Sequence, residues 1–286
     1  MGTINIRTNV PSLSAQRALN STTDRLNKAY ERLSSGLRIT RAADDAAGLA
    51  IADQLRADSR IATVAVRNAN DGISMIAITD GAMEQISSVL TRLAELAEQS
   101  ANGVFSNEQR SALALEYVAL SSEIQRISET TVFNGLNLLS GAATVTFQVG
   151  FDGQTHSQVT YSGVSATLES LGLGNASGSP LFSITDSTSL GSQIAARSAL
   201  DAVKLAISSL TSSRGTLGSA ESRLQVAIAN LTIARENFLA AESRIRDVDV
   251  ASEAAELTRL NILQQASASV LAQANQQPAL ALTLLQ

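Results

Sequence analysis

Several residue types are scarce or absent in this 286-residue sequence, and each absence narrows the class of protein. There is no Cys, which excludes disulfide bonds, thiol catalysis and thiolate metal sites. There is no Trp, and aromatic residues make up 3% of the chain, so burial must come mostly from Ala, Leu, Ile and Val. That composition favours thin helix-on-helix interfaces over a thick globular core.

Proline and basic charge are also scarce. The three prolines are Pro11, Pro180 and Pro278, and the long proline-free run between the first two allows very long helices. A net charge of −5 argues against nucleic-acid binding. No run approaches the roughly 18 apolar residues of a membrane span, and the first residues lack the apolar core of a signal peptide. We therefore expect no nucleic-acid partner, no membrane insertion and no cleaved signal.

Heptad spacing of apolar residues dominates what is present. Leu19, Leu26 and Leu33 lie seven apart near the start, and a 3-4 spacing continues over 45–100. A single heptad phase then runs from about 200 to 245. Polar residues interrupt these seams at Asp80, Ser87, Arg214, Glu221, Arg235 and Glu242. The pattern predicts long helices, of which 45–100 and 200–245 pair antiparallel.

Turn signals divide these helices. Breaks are predicted at "SSGLRIT" (34–40), at "SANGVFSN" (100–107) and at Asn134-Gly135. The acidic pair Asp44-Asp45 fits a helix cap better than a metal site, because no further ligands stand at a chelating spacing. Pro278 is expected to end the last helix.

Residues 141–192 differ in composition, since Gly, Ser and Thr dominate and charge is rare. Within them, "TVTFQVG" (144–150) and "SQVTYSG" (157–163) are typical of two strands joined at "FDGQTH". We expect this small region to pack on the helices. The predicted fold is therefore mainly α, an elongated antiparallel helical coiled coil or bundle with a small β-hairpin region mid-chain.

The chain finishes with "NILQQASASVLAQANQQPALALTLLQ" (261–286), which contains no Asp, Glu, Lys or Arg. Two thin helices cannot bury so much aliphatic surface, and exposed patches of this kind mark contact sites. A membrane-surface helix would carry Lys or Arg beside its apolar face. We favour ends that become ordered when copies of the chain assemble, and a head-to-tail contact between copies would build an open filament.

Five stretches resemble bacterial flagellin in order and spacing. They are "INIRTNVPSLSAQRALN", "LNKAYERLSSGLRITRAADDAAGLAIADQL", "RNANDGISMIAITDGAMEQISSVLTRLAELAEQSANG", "TVFNGLNLLSG" and "RIRDVDVASEAAELTRLNILQQASASVLAQANQQPALALTLLQ". They lie within about the first 140 and the last 95 residues. The middle of the chain lacks clear family features, and the large outer domains of longer flagellins are not expected.

The resemblance implies a structural subunit, exported through the flagellar type III apparatus and polymerised under a cap protein into an extracellular filament. It implies many copies of the chain itself, an export chaperone, the cap and hook-junction proteins as partners, and no cofactor. It divides the chain into inner-core halves 1–44 and 246–286 and a rod of 45–140, 141–192 and 193–245. The residues expected to pack in the filament core are Leu19, Leu26, Leu33, Leu260, Leu263, Val270 and Leu271.

The stretch "LTRLAELAEQSAN" resembles the part of many flagellins that the vertebrate Toll-like flagellin receptor recognises. The matching positions are Arg92, Leu96 and Glu116. The alternative is that Leu96 packs in a filament interface while Arg92 and Glu116 are solvated helix charges.

Other classes of protein fit less well. An enzyme would need a nucleophile and base in one constellation, and the single His156 lies in a polar turn. "NAS" (175–177) matches a glycosylation pattern that often arises by chance. The hook–filament junction protein shares the terminal architecture but does not polymerise in bulk, and a non-flagellar secreted coiled-coil protein is a further alternative.

Overall fold

The computed structural model describes residues 8–141, 144–175 and 177–283, and these confirm a mainly α fold with short antiparallel hairpins. The helices are α1 (Val10–Ser35), α2 (Ala46–Ala101), α3 (Asn107–Thr130), α4 (Ser189–Arg246) and α5 (Val250–Thr283). The strands are β1 (Val132–Phe133), β2 (Leu136–Asn137), β3 (Val145–Gln148) and β4 (Gln158–Tyr161).

The chain divides into two compact units, one formed by 1–59 with 236–286 and the other by 60–235. Because α2 and α4 cross these limits, each contributes residues to both units. The domain limits suggested by the resemblance, at 44/45 and 245/246, stay a prediction.

The predicted breaks after α1 and after α2 are confirmed, and the helix ends beside them have local causes. Gly36 follows the end of α1 in a left-handed conformation with φ 72°, which glycine adopts without strain. Asp45 caps α2, since its carboxylate accepts the Gly48 backbone N–H at 2.9 Å. Ser106 and Gln109 form a reciprocal capping box at the start of α3.

Both hairpins also follow the sequence signals. Asn134 and Gly135 have φ of 47° and 80°, the pair of positive values that a tight turn between β1 and β2 needs. β3 and β4 pair antiparallel from Val145 opposite Tyr161 to Gln148 opposite Gln158. The "NAS" pattern includes residue 176, which lies outside the described residues.

The prediction that Pro278 ends the last helix was wrong, because α5 continues to Thr283. Proline has no backbone N–H, so within a helix it leaves the carbonyl four residues earlier without its usual partner. That carbonyl belongs to Ala274, and it accepts the side-chain amide of Asn9 at 2.8 Å. The substitute hydrogen bond from α1's cap residue removes part of the cost of the proline.

In the unit 60–235, α2 and α4 run antiparallel, as the heptad pattern predicts. Asp80 of α2 meets Arg214 of α4, while Gly72 lies beside Leu224. A Cβ atom at Gly72 would lie 3.0 Å from Leu224 Cδ1 and 3.2 Å from the Phe147 ring, so glycine permits this close packing.

The same unit has a continuous hydrophobic core that includes the segment between α3 and α4. Leu139, Ala166, Leu168 and Ile184 of that segment are fully buried against the helices. This confirms that the variable middle packs on the helices, and it gives the long pair α2–α4 a third layer of cover.

In the unit formed by 1–59 and 236–286, α1 and α5 lie antiparallel. Ser12 donates its hydroxyl to the Asn275 side-chain oxygen at 2.6 Å, and Gln264 donates to the Thr23 hydroxyl at 3.3 Å. The buried cluster between the helices is small. It consists of Leu26, Ala29 and Leu260, with Leu257 packed against it.

The turn after α1 and the break after α4 are joined through their backbones. The Arg38 N–H donates to the Arg246 carbonyl at 2.6 Å, and the Val248 N–H donates to the Gly36 carbonyl at 3.0 Å. Leu37 and Asp247 thereby form an antiparallel bridge. Two helix junctions far apart in sequence are thus joined by backbone hydrogen bonds, and the Arg38 guanidinium adds one to the Ile245 carbonyl at 2.6 Å.

Candidate functional site

The charge-free part of α5 exposes large apolar side chains. Ile262 is 62% exposed, Leu263 40% and Val270 56%. Leu260, in contrast, is buried against α1, and Leu271 is half-buried. The face of α5 that meets α1 is therefore narrower than its apolar surface, which leaves aliphatic side chains without cover in the single chain.

The three leucines predicted on α1 divide in a similar way. Leu26 is buried in the cluster with Leu260, while Leu19 and Leu33 are half-buried. We expected ends that become ordered when copies assemble, whereas α1 and α5 are helices that already pair within one chain. What they leave exposed still agrees with the argument that two thin helices cannot bury this surface. That the seven predicted residues pack in a filament core stays a prediction.

Arg92 and Glu116, predicted from the receptor resemblance, lie together across α2 and α3. Two guanidinium nitrogens of Arg92 meet Glu116 Oε1 at 2.9 Å, and a third lies 3.0 Å from Glu95. The hydrogen bonds that Arg92 donates to Glu95 and, to a smaller extent, to Glu116 raise the pKa of Arg92. Both predicted side chains are about half exposed, so this ion-pair network is open to solvent.

Leu96, the third predicted receptor residue, is fully buried in the core of the unit 60–235. A side chain with no accessible surface cannot touch a partner while this unit stays folded. Leu96 lies one turn after Arg92 on α2, and its burial in the core instead anchors the helix that carries the ion pair. The structure thus brings Arg92 and Glu116 together at the surface and places Leu96 beneath them.

The single histidine lies in the β3–β4 connection beside a carboxylate and a hydroxyl. His156 Nε2 is 3.1 Å from Asp152 Oδ2, and the Ser157 hydroxyl donates to Asp152 Oδ1. The bond from Ser157 is the main cause that lowers the pKa of Asp152. Asp152 stands between the hydroxyl and the imidazole, which is not the order in which a base activates a nucleophile. The contacts stabilise a turn.

The described residues contain no cluster of three or more acidic, His or Cys side chains able to hold a metal ion. Among the same residues, no helix combines the length and the apolarity that a membrane crossing requires.

Sequence reasoning missed one buried charge, Arg110 of α3. Its guanidinium donates to the Ser100 and Asn102 carbonyls at the end of α2, at 3.0 and 2.9 Å, and to the Ser189 hydroxyl at 2.8 Å. Unpaired carbonyls and the negative end of the helix dipole both favour a cation there. No sequence periodicity predicts this buried site, because Arg110 has the pattern of an ordinary exposed polar residue in the first turn of α3.

A second ion pair, between α2 and α4, could have been predicted from the sequence. Asp80 and Arg214 both interrupt apolar seams, and they form a two-pronged pair at 2.7 and 3.0 Å. Hydrogen bonds from Arg214 lower the pKa of Asp80. Opposite charges at facing seam positions of two antiparallel helices predict such a pair, and they also fix the register.

Comparison with known proteins adds the family. The profile for the bacterial flagellin N-terminal helical region matches residues 6–144, and that for the C-terminal helical region matches residues 200–285. The flagellin of Halalkalibacterium halodurans is 42% identical over 282 residues, which cover 98% of this chain and 99% of that protein. The chain therefore belongs to the bacterial flagellin family.

Two further likenesses are of different strength. The flagellar filament 30.7 kDa core protein of Treponema maltophilum is 37% identical over 288 residues, covering 98% of this chain and 99% of that protein. The crystal structure of Bacillus cereus flagellin superposes with a TM-score of 0.48 at 27% identity, over 58% of this chain and 88% of that one. The family assignment rests on the sequence relatives.

Membership of the flagellin family defines the general role of this chain. The chain is a structural subunit of the bacterial flagellar filament, an extracellular polymer of flagellin copies. The resemblance drawn from the sequence is confirmed.

Proposed function

We propose that this subunit enters the filament through α1 and α5, whose uncovered apolar faces pack against the same helices of neighbouring copies. The observation that carries the proposal is the exposure of Ile262, Leu263 and Val270 on a segment without charge. Water is a poor environment for such a face, and no carboxylate or ammonium has to be desolvated when it is buried. Residues 1–44 and 246–286 then form the inner core, and 45–245 form the surrounding rod.

The predicted core residues take two roles in this proposal. Leu26 and Leu260 hold α1 to α5 within a subunit, because they are already buried there. Leu263 and Val270 face neighbouring copies, and Leu19, Leu33 and Leu271 lie at the border between the two interfaces. Contacts of this head-to-tail kind continue without closing, as an open helical polymer requires.

The sharpest test is the double substitution Leu263→Gln and Val270→Gln, which keeps the segment 261–286 uncharged and favours a helix. We expect it to abolish filament growth, measured by electron microscopy and sedimentation of concentrated subunits, while circular dichroism of the free subunit stays unchanged. Val104→Gln, at an 85% exposed position in the loop between α2 and α3, is the matched control and should polymerise normally. Normal filaments from the double variant would contradict the proposal.

Truncation gives a second test with a larger change. Removing residues 261–286 should also prevent assembly, while hydrogen exchange in the unit 60–235 remains slow because its core lies elsewhere. Bulk polymerisation of the intact chain further separates a filament subunit from a hook–filament junction protein, which does not form long fibres.

The partners of this subunit follow from the same assignment. We propose export through the flagellar type III apparatus, with a chaperone before export and a cap protein during polymerisation. The role is structural and not catalytic, in keeping with the order of Ser157, Asp152 and His156, which suits a turn.

A second proposal concerns the surface around Arg92 and Glu116 as a contact for the vertebrate Toll-like flagellin receptor. It is supported by their exposure and by the ion pair that presents them together. Arg92→Ala and Glu116→Ala should each reduce receptor signalling by about tenfold or more in a reporter assay, whereas Glu123→Ala, also on α3, should not. Equal signalling by all three variants would exclude this surface. Leu96→Ala is unsuitable as a test because that side chain supports the core.

A further inference from the structure

The chain contains two Asn-Gly pairs, Asn102-Gly103 and Asn134-Gly135, and both lie in exposed loops of the unit 60–235. An asparagine side chain can react with the backbone nitrogen of the next residue, and glycine hinders this least because it has no side chain. Asparagine is accordingly one of the thermolabile residues of proteins. The structure gives the two pairs different surroundings, so their reactivity should differ.

The turn between β1 and β2 already has one of the two backbone angles that the reaction needs. Asn134 and Gly135 have φ of 47° and 80°, and two positive values define a type I′ turn. Ring closure brings the Gly135 nitrogen beside Cβ of Asn134, which requires a positive φ and a ψ of about −120° at Asn134, as in a type II′ turn. Both turn types join hairpins, so one flip of the 134–135 peptide plane reaches the reactive form while the strands stay paired.

This peptide plane has few restraints. The hydrogen bond of such a turn uses the N–H of its last residue, Leu136, and leaves that of Gly135 free. The Asn134 side chain makes no hydrogen bond to any residue that the structure describes. A Cβ atom placed at Gly135 would meet no heavy atom within 4 Å, so the plane has room to rotate.

Asn102, in contrast, is held at its backbone and at its side chain. Its carbonyl accepts Arg110 Nη2 at 2.9 Å, and its side-chain oxygen accepts the Val104 N–H at 3.1 Å. Arg110 is fully buried, so a flip of the 102–103 peptide plane would take an acceptor from a guanidinium that water does not reach. A Cβ atom at Gly103 would also lie 3.4 Å from Gln193 Nε2, which leaves this plane less room than the one at Gly135.

The three Asp-Gly pairs are poorer candidates for the same ring. Asp71-Gly72 and Asp80-Gly81 lie inside α2, where the helix fixes the peptide planes. Asp152-Gly153 lies in a loop, but the Ser157 hydroxyl donates to the Asp152 carboxylate and is the main cause that lowers its pKa. An ionised carboxylate is a poor electrophile. The amide of Asn134 is neutral and exposed.

We propose that Asn134 is a site of spontaneous deamidation, at which the turn between β1 and β2 converts to aspartate and isoaspartate while Asn102 is protected. The Gly135 nitrogen bonds to Cγ of Asn134, and the side-chain nitrogen leaves as ammonia with the proton that Gly135 gives up. Water then opens the cyclic imide. Cleavage of the bond from Cγ to nitrogen gives aspartate, and cleavage at the Asn134 backbone carbonyl gives isoaspartate.

The products change the surface of the unit without opening its core. Each event adds one negative charge, and isoaspartate also adds a methylene to the backbone of a turn whose length sets the pairing of β1 and β2. The neighbouring core contacts lie outside the turn. The Leu138 N–H donates to the Thr131 carbonyl at 3.1 Å, and the Ser128 hydroxyl donates to the Leu139 carbonyl at 2.9 Å. We therefore expect a modified subunit that is still folded.

The test is incubation of the full-length free subunit in mildly alkaline water enriched in ¹⁸O, followed by peptide mapping with mass spectrometry. We expect aspartate and isoaspartate at position 134, each with one ¹⁸O atom, forming about tenfold or more faster than at position 102. In the same chain unfolded in urea, the two rates should become similar because the contacts of Asn102 are lost.

Two variants test the two halves of the proposal separately. Gly135→Ala places a side chain at a φ of 80° and beside the attacking nitrogen, and it should slow the reaction at Asn134 by about tenfold or more. Gly103→Ala is the matched control and should leave that rate unchanged. Arg110→Ala frees the Asn102 carbonyl, so it should raise the rate at position 102 towards that at position 134 and leave the latter as it was.

Three results would overturn the assignment. The first is equal rates at the two asparagines in the folded chain, or a faster rate at Asn102. The second is an absence of isoaspartate at position 134 under conditions that modify the unfolded chain. The third is a rate at Asn134 that Gly135→Ala does not lower while circular dichroism and Tm show the variant to be folded.

Discussion

The two compact units both contain an antiparallel pair of helices, yet they bury them to very different degrees. In the unit 60–235, α3 and the segment 138–184 cover the α2–α4 pair, and Met83, Leu90 and Leu224 have no exposed surface. Between α1 and α5, the buried cluster has three members with one residue packed against it. A pair of thin helices leaves apolar surface uncovered unless further elements pack on it. In the unit 60–235 the chain itself supplies that cover, and we propose that neighbouring copies supply it to α1 and α5.

The largest expected effect tests this difference directly. Leu90→Ala should destabilise the unit 60–235 by about 3–5 kcal/mol, because it leaves a cavity in a closed core. Leu26→Ala should cost about 2 kcal/mol or less in the free subunit, because water reaches a two-helix interface. Urea unfolding followed by amide signals of each unit measures both. A cost at Leu26 equal to that at Leu90 would mean that α1 and α5 form a complete core alone.

Arg110 should be the most sensitive polar residue of the closed unit. Arg110→Ala removes the donors of the Ser100 and Asn102 carbonyls and empties a buried site, which we expect to cost about 3 kcal/mol. Arg126→Ala, at an exposed pair on the same helix, should cost less than about 0.5 kcal/mol. Thermal unfolding of the two variants shows whether the stability that an arginine of α3 contributes depends on its burial or only on its charge.

Alkaline pH should weaken the closed unit selectively. Burial raises the pKa of Tyr117 from its ordinary 10.0 to about 12. The protonated phenol therefore favours the folded state fully below pH 10, and this contribution of about 2–3 kcal/mol disappears as the pH rises from 10 to 12. Tyr117→Phe should remove that part of the decline when unfolding is measured across this range. An identical decline in the variant would assign it to other groups.

The open unit has its own critical polar contact, at Asn9. Asn9→Asp keeps an oxygen to cap α1 but loses the amide that serves the Ala274 carbonyl. We expect a loss of about 1–2 kcal/mol, seen as faster hydrogen exchange in α5 near Pro278. Asn20→Asp, at an exposed position on α1, is the control and should leave exchange in α5 unchanged.

The smallest effect is expected at the ion pair in the α2–α4 seam. The pKa of Asp80 lies below its ordinary 3.8, so the pair stabilises the fold above that pH and the contribution is lost as the pH falls through the lowered value. Solvent reaches both side chains, which limits the effect to about 0.5–1 kcal/mol. Asp80→Asn should reduce stability at pH 7 by that amount, and the difference should disappear once acid protonates Asp80 in the folded state. A loss that persists in acid would indicate a packing role.

The sequence predicted those features that depend on local chemistry or regular spacing. Gly36, Asp45 and Asn134-Gly135 mark their turns and caps through backbone geometry, and the heptads set the long helices. The failures came from contacts between distant residues. Pro278 is a helix-ending signal in the sequence, but the distant Asn9 donates a hydrogen bond to the Ala274 carbonyl within α5. Leu96 was predicted at a receptor surface, but it is fully buried in the core of the unit 60–235. Neither feature can be recognised from the neighbouring sequence.

The uncharged segment that starts at Asn261 determines how the contacts it makes should respond to the pH and salt of the surrounding water. It contains no side chain that gains or loses a proton at ordinary pH, so a contact made by these side chains alone exchanges no hydrogen ions with its surroundings. Salt has no fixed charge there to screen. In the packing proposed above, the contribution of these side chains to filament cohesion would stay the same when a cell swims from fresh into brackish or acidified water.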